Sequence, residues 1–176
     1  MSDHSSFAGL DVGLLLARLV FGLAMAAHGT QKLFSWFGGY GLAGTGGFFE
    51  GLGFRPGKVF ALAAGLSEFG GGVLVALGLF GPVGSALIVS VMLVAMVTVH
   101  LKHPFFASTN GIEVPLLYSG TAVALALTGP GAFSLDAILG LEFLGRPQVA
   151  WIALAAGVLG GVANLVLLRK PPVAAA

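Results

Sequence analysis

The sequence of 176 residues contains no cysteine, which excludes a disulfide framework, a thiolate nucleophile, an iron–sulfur cluster and a cysteine zinc site. Redox chemistry on this chain therefore needs a borrowed cofactor. Charge is the second scarcity, at 9% of residues against about 25% in an ordinary soluble domain. Eight basic and seven acidic residues leave a formal net charge of +1, so there is no basic field to hold nucleic acid and no acidic one to gather cationic partners. A His28–His100 pair on facing helices is a conceivable haem or metal ligand set, but no spacing resembles a metal motif, so neither metal nor haem is expected. The glycine runs Gly38-Gly39 and Gly70-Gly71-Gly72 follow no strand and precede no phosphate-loop lysine, so they read as packing residues.

What the chain has in abundance is apolar length. Hydrophobic residues make up 57% and mean hydropathy is +1.00, the composition of an all-α integral membrane protein. A bilayer core about 30 Å thick needs roughly 20 apolar helical residues. Five windows qualify: Val12 to Lys32, Lys58 to Phe80, Pro82 to Leu101, Pro115 to Thr128 (extended by Gly111 to Val114), and Val149 to Leu168. The first lacks a basic leader and a small-residue cleavage site, so it reads as a retained helix. Gly81-Pro82 alone separates the second and third windows and forces a tight helical hairpin. Lys32, Arg55, Lys58, Lys102, Arg169 and Lys170 gather on one side and Arg146 on the other, which predicts an outside N-terminus and an inside C-terminus.

The segment 35–57 carries Trp36, Phe37, Tyr40, Phe48, Phe49 and Phe54 among many glycines, which suits a re-entrant or interfacial stretch at headgroup depth. After Ala132, Ser134 is a candidate N-cap for a short interfacial helix with Leu135, Ile138, Leu139, Leu141 and Phe143. The predicted organisation is a tail at 1–11, a four-helix membrane domain at 12–140, an interfacial segment and fifth transmembrane helix at 141–170, and a disordered tail at 171–176.

Ionisable groups inside a span cost about 3 kcal/mol at the helix centre and need a partner or a wet cavity. Glu68 lies near the middle of the second span, and its helical neighbours Ala61, Ala64, Gly65, Gly71 and Gly72 are small, so this stripe should face the bundle. Glu68 reads either as a carboxylate tying two helices or as a proton relay or ligand contact. Arg18, in the first span, is expected to pair with Glu68, the alternative being a side chain that snorkels to the headgroups. His28, Gln31 and Lys32 share a face of the first span, and His100, His103, Asn110, Glu113 and Glu50 fall at the same membrane side. Such clusters mark ligand or proton sites, although interfaces also collect polar residues for structural reasons. In the fifth span, Gly157, Gly161 and Asn164 suit a close crossing with an interhelical amide hydrogen bond, either within the chain or between two copies.

The runs RLVFGLAMAAHGTQKLFSWFGGYG (Arg18 to Gly41), FFEGLGF (Phe48 to Phe54), AGLSEFGGGVLVALGL (Ala64 to Leu79), NGIEVPLLY (Asn110 to Tyr118) and GPGAFSLD (Gly129 to Asp136) together resemble the DoxX family of small bacterial membrane proteins, over about Leu14 to Leu139. The resemblance implies a four-helix membrane protein of the bacterial inner membrane, which makes the fifth span a C-terminal extension. It also implies a link to membrane oxidoreductase assemblies and thiol-stress responses; the related DoxD proteins are subunits of a thiosulfate:quinone oxidoreductase. No cysteine is present to carry a sulfur intermediate. The expected function is a membrane subunit of a redox assembly with membrane protein partners and no covalently bound cofactor. Near the inner interface, His28, Lys32, Glu50, Glu68, His100, Asn110 and Glu113 would offer hydrogen bonds and protons to a quinone-like amphiphile. The alternative is a non-catalytic scaffold that anchors a partner enzyme through the aromatic loop; a transporter ranks third, since no repeat is evident.

Overall fold

The computed structural model describes residues 4–170, and among them every regular element is a helix. The chain is an all-α integral membrane protein. Helix α1 runs His4–Phe34, α2 Gly41–Gly51, α3 Gly57–Leu77, α4 Val83–Ala95, α5 Glu113–Thr128, α6 Leu135–Ile138 and α7 Pro147–Ala163. Helix α4 continues as a wider π-turn over Met96–His100, and α7 over Asn164–Leu168. Four stretches, Gly9–Phe34, Gly57–Leu77, Val83–His100 and Pro147–Leu168, are long and apolar enough to cross a membrane. The 16 residues of α5 rise about 24 Å, short of a full hydrocarbon core. The expected tail at 171–176 lies outside the described residues, and α1 begins at His4 rather than near Val12.

Helices α1, α3, α4, α5 and α7 alternate in direction. One end of the bundle, called the near face here, holds the start of α1, the α3–α4 hairpin and the α5–α7 connection. There Asp11 Oδ1 accepts from Ala132 N at 2.9 Å, and Asp136 N donates to Gly78 O at 3.0 Å. The far face holds the end of α1, α2 and the end of α7. Lys170 N donates to Gly53 O at 2.8 Å, and Phe54 and Arg169 form an isolated antiparallel bridge.

Close backbone approach sets the register. A Cβ on Gly72 would meet Gly22 O and Ala26 N, and one on Gly29 would meet Phe69 N and Gly65 O, so α1 and α3 cross through two pairs of facing glycines. A Cβ on Gly71 would stand 2.9 Å from Gly84 O, which brings α4 against another side of α3. The Gly157/Gly161 pair lies against Ala86 and Ser90 of α4, so the crossing it makes is internal. Phe21, Met25, Val75, Ile88, Met92, Ala122 and Leu154 fill the space between these crossings.

The aromatic segment after α1 folds as a short 3-10 turn, Trp36–Gly38, and then as α2, which packs on α3 and α1. Trp36, Phe37 and Tyr40 stay exposed, as aromatic residues of a headgroup belt do. The Ser134 cap forms, its Oγ accepting from Ala137 N at 3.2 Å. Its helix is a single turn, because Gly140 takes a left-handed φ of +68° and a 3-10 turn, Glu142–Gly145, replaces the rest.

Candidate functional site

The glycine crossings fix where each buried charge goes. With Gly22 against Gly72 and Gly29 against Gly65, Glu68 lies beside the last two turns of α1 and Arg18 beside Gly78. The expected Arg18–Glu68 pair therefore does not form: the antiparallel register of α1 and α3 holds the two at different depths. Glu68, 2% exposed, meets Lys32 instead, with Oε2 2.5 Å from Nζ. Lys32 sits in the last turn of α1, where the helix dipole favours a cation, and keeps a quarter of its side chain exposed.

Arg18 is also 2% exposed, and it does not snorkel. It donates from Nη2 to Phe133 O and occupies the room left by the missing side chain of Gly78, whose φ is +61°. Nearby, the fully buried Asp136 accepts from Phe80 N at 2.8 Å and Gly81 N at 2.6 Å, which holds the α3–α4 hairpin. Sequence reasoning missed Asp136 because its partners are backbone amides 55 and 56 positions away. A carboxylate two residues after Ser134, at the start of an apolar run, was the available signal.

Two cavities flank the Lys32–Glu68 pair. The larger, about 510 Å³, lies among α2, α3, α4 and α7; Phe48, Phe49, Phe54 and Phe60 form one wall, and Ser67, Ser90, Thr98 and Asn164 add hydroxyls and an amide. The smaller, about 290 Å³, lies among α1, α4 and α5 and is bordered by His28, Met92, Pro115 and Tyr118. Lys32, Glu68, Ala95, His100 and Asn110 border both, so the ion pair stands in the partition between them. Both π-turns reach the larger cavity, through Thr98 and His100 on α4 and Asn164 on α7.

The histidines are held from behind. His100 Nδ1 donates to the Asn110 carbonyl at 2.8 Å, because a carbonyl can only accept; in a neutral ring Nε2 is then the acceptor. His28 Nε2 lies 3.3 Å from the Tyr118 hydroxyl, with the rings edge to face. Two carboxylates expected at the site are engaged elsewhere. Glu50 is exposed and accepts from Gly57 N at 3.1 Å, where the first turn of α3 leaves amides free. Glu113 accepts from Ala107 N at 2.8 Å and closes the loop before α5. Neither borders either of these two cavities. Among the described residues Asn164 makes no interhelical amide bond, and its Oδ1 is buried without a partner. Gly65, Gly71 and Gly72 do make the close crossings expected of them. Among the described residues no three His, Asp or Glu side chains gather to hold a metal ion.

The DoxX family profile matches residues 13–101, which span α1 to the end of α4 and carry Arg18, His28, Lys32, Glu68 and His100. The chain belongs to the DoxX family. This DoxX protein is 33% identical over 126 residues to "Putative oxidoreductase CatD" of Bacillus subtilis (strain 168), a match covering 72% of the chain and 86% of that protein. It is 34% identical over 132 residues to "Inner membrane protein YqjF" of Escherichia coli (strain K12), covering 73% and 93% respectively. No solved structure matches it. In the DoxX protein described here, Asn164 and Asp136 lie beyond the profile match.

Proposed function

We propose that this DoxX protein is the membrane subunit of a redox assembly and that its larger cavity takes the head of a quinone-like amphiphile. The observation that carries this reading is the cavity itself: about 510 Å³, within the range of small-molecule pockets, apolar and aromatic over most of its wall, with an ion pair and a histidine at one border. The naming of CatD as an oxidoreductase supports the redox class, and the naming of YqjF supports a bacterial inner membrane. The Lys and Arg distribution supports an outside N-terminus, which turns the far face and its cavities toward the cytoplasm.

A bound quinone supplies two-electron, two-proton chemistry, and this chain's residues position it and handle protons. The phenylalanines exclude water and receive the apolar part. Lys32, paired with Glu68, donates to a head oxygen, and Glu68 and His100 exchange protons with the head. His28 and Tyr118, across the partition, offer a second hydrogen-bonded pair from the smaller cavity. Electrons come from a protein partner, so the chain is a quinone-interacting subunit rather than a self-sufficient enzyme.

Titration of the detergent-solubilised chain with decylubiquinone tests this. Saturable binding is expected, with Glu68→Gln and Lys32→Met each weakening it at least about tenfold, the worth of one charge-assisted hydrogen bond. Absence of saturable binding, or unchanged affinity in both variants, overturns the pocket. Recovery of stoichiometric protein partners without such binding would support the scaffold reading.

A further inference from the structure

Asn164 is the one polar side chain that α7 brings to the larger cavity, and three observations single it out. It opens the π-turn of α7. Its Oδ1 is shielded from water and has no hydrogen-bond partner among the described residues, so the amide contributes no internal tie. The chain just after it is fastened to the cavity wall: Arg169 N donates to Asn164 O at 3.1 Å, and Arg169 Nε to Leu52 O at 2.8 Å. Arg169 also bridges Phe54, itself a lining residue. The amide and the aromatic wall are therefore positioned together.

The charge balance of the wall narrows the ligand. The charge of Lys32 is balanced by Glu68 at 2.5 Å, and the other polar groups contributed by α3, α4 and α7 are Ser67, Ser90, Thr98, His100 and Asn164. A fixed cation left over for an ionised head is missing from this set.

Building on the pocket reading above, we propose that Asn164 is a specificity-determining ligand contact: its amide hydrogen-bonds a neutral oxygen-bearing head and selects it over both an ionised head and a bare hydrocarbon ring. With Oδ1 shielded, the contact is made by the amide nitrogen, which donates to the oxygen of a carbonyl or a hydroxyl head alike.

The full chain in detergent is titrated with decylubiquinone, decanoate and decylbenzene, and thermal unfolding is recorded for each variant. In the wild type, decylubiquinone binds more tightly than decanoate or decylbenzene. Asn164→Leu weakens decylubiquinone about tenfold and leaves decylbenzene within about twofold, while Asn164→Ser retains decylubiquinone affinity within about threefold. The unfolding midpoint of the Leu variant equals or exceeds that of the wild type, since no internal hydrogen bond is lost. Unchanged decylubiquinone affinity in the Leu variant overturns the proposal while the pocket stands. A Leu variant that unfolds earlier or fails to fold makes Asn164 a packing residue and overturns it too, as does wild-type preference for decanoate. A wild type that binds none of the three probes removes the pocket itself.

Discussion

Arg18 and Asp136 at the near face are as deeply buried as Glu68 at the far face, yet the two places use their charges in opposite ways. At the near face the charges grip backbone: Arg18 holds Phe133 O, and Asp136 holds both amides of the α3–α4 turn. The space beside them is only about 20 Å³, and two guanidinium nitrogens there have no acceptor among the described residues. At the far face Lys32 and Glu68 hold each other, with a cavity on either side. Burial of a charge thus does not by itself mark a site. Hydrogen-bonding capacity beside open space is the better guide, and by that measure the near face is a fastener and the far face is the proposed ligand site.

The sharpest way to break this contrast is at the fastener. Asp136→Ala strands two buried amides and leaves Arg18 without its neighbouring negative charge, so a loss of about 3–5 kcal/mol is expected in denaturant unfolding. A variant that stays stable but loses ligand affinity would reverse the assignment of the two faces. Next in size is the crossing that sets the register of both. Gly72→Val drives a branched side chain into the α1 backbone at Gly22 and Ala26, with an expected cost of about 1–3 kcal/mol in the same measurement. At the far face, Glu68→Gln should lower stability by no more than about 2 kcal/mol, below the usual cost of a broken buried pair, because the partly exposed Lys32 can turn to water. A loss as large as that of Asp136→Ala would make the far pair a fastener as well. Smallest is Ser134→Ala, which removes the cap ahead of Asp136 and should cost about 1 kcal/mol by thermal unfolding.

The all-α membrane class and the alternation of the long helices were readable because apolar length and alternating direction are one-dimensional properties. The Gly81-Pro82 hairpin and the Ser134 cap were readable because turn and cap chemistry is local. The pairing of charges was not, since it depends on which glycines meet. Four glycines put Arg18 and Glu68 at different depths, and their spacing along each helix allows more than one register. Glu50 and Glu113 looked like site residues by position alone, but each caps amides that a neighbouring turn leaves free. Asn164 looked like a packing residue because it follows the glycine pair; its place on the cavity wall depends on how α7 sits against α4, which leaves no mark in the sequence.

The link between Arg169 and the Leu52–Phe54 segment joins the last part of α7 to a loop synthesised more than a hundred residues earlier. Translation runs from the N-terminus, so a nascent chain holding α1 to α5 can enter the bilayer with its charges already paired and still lack one side of the larger cavity. On the proposed reading, ligand capture waits for the last turn of α7: until that turn leaves the ribosome and docks, the inserted chain lacks one wall of its pocket.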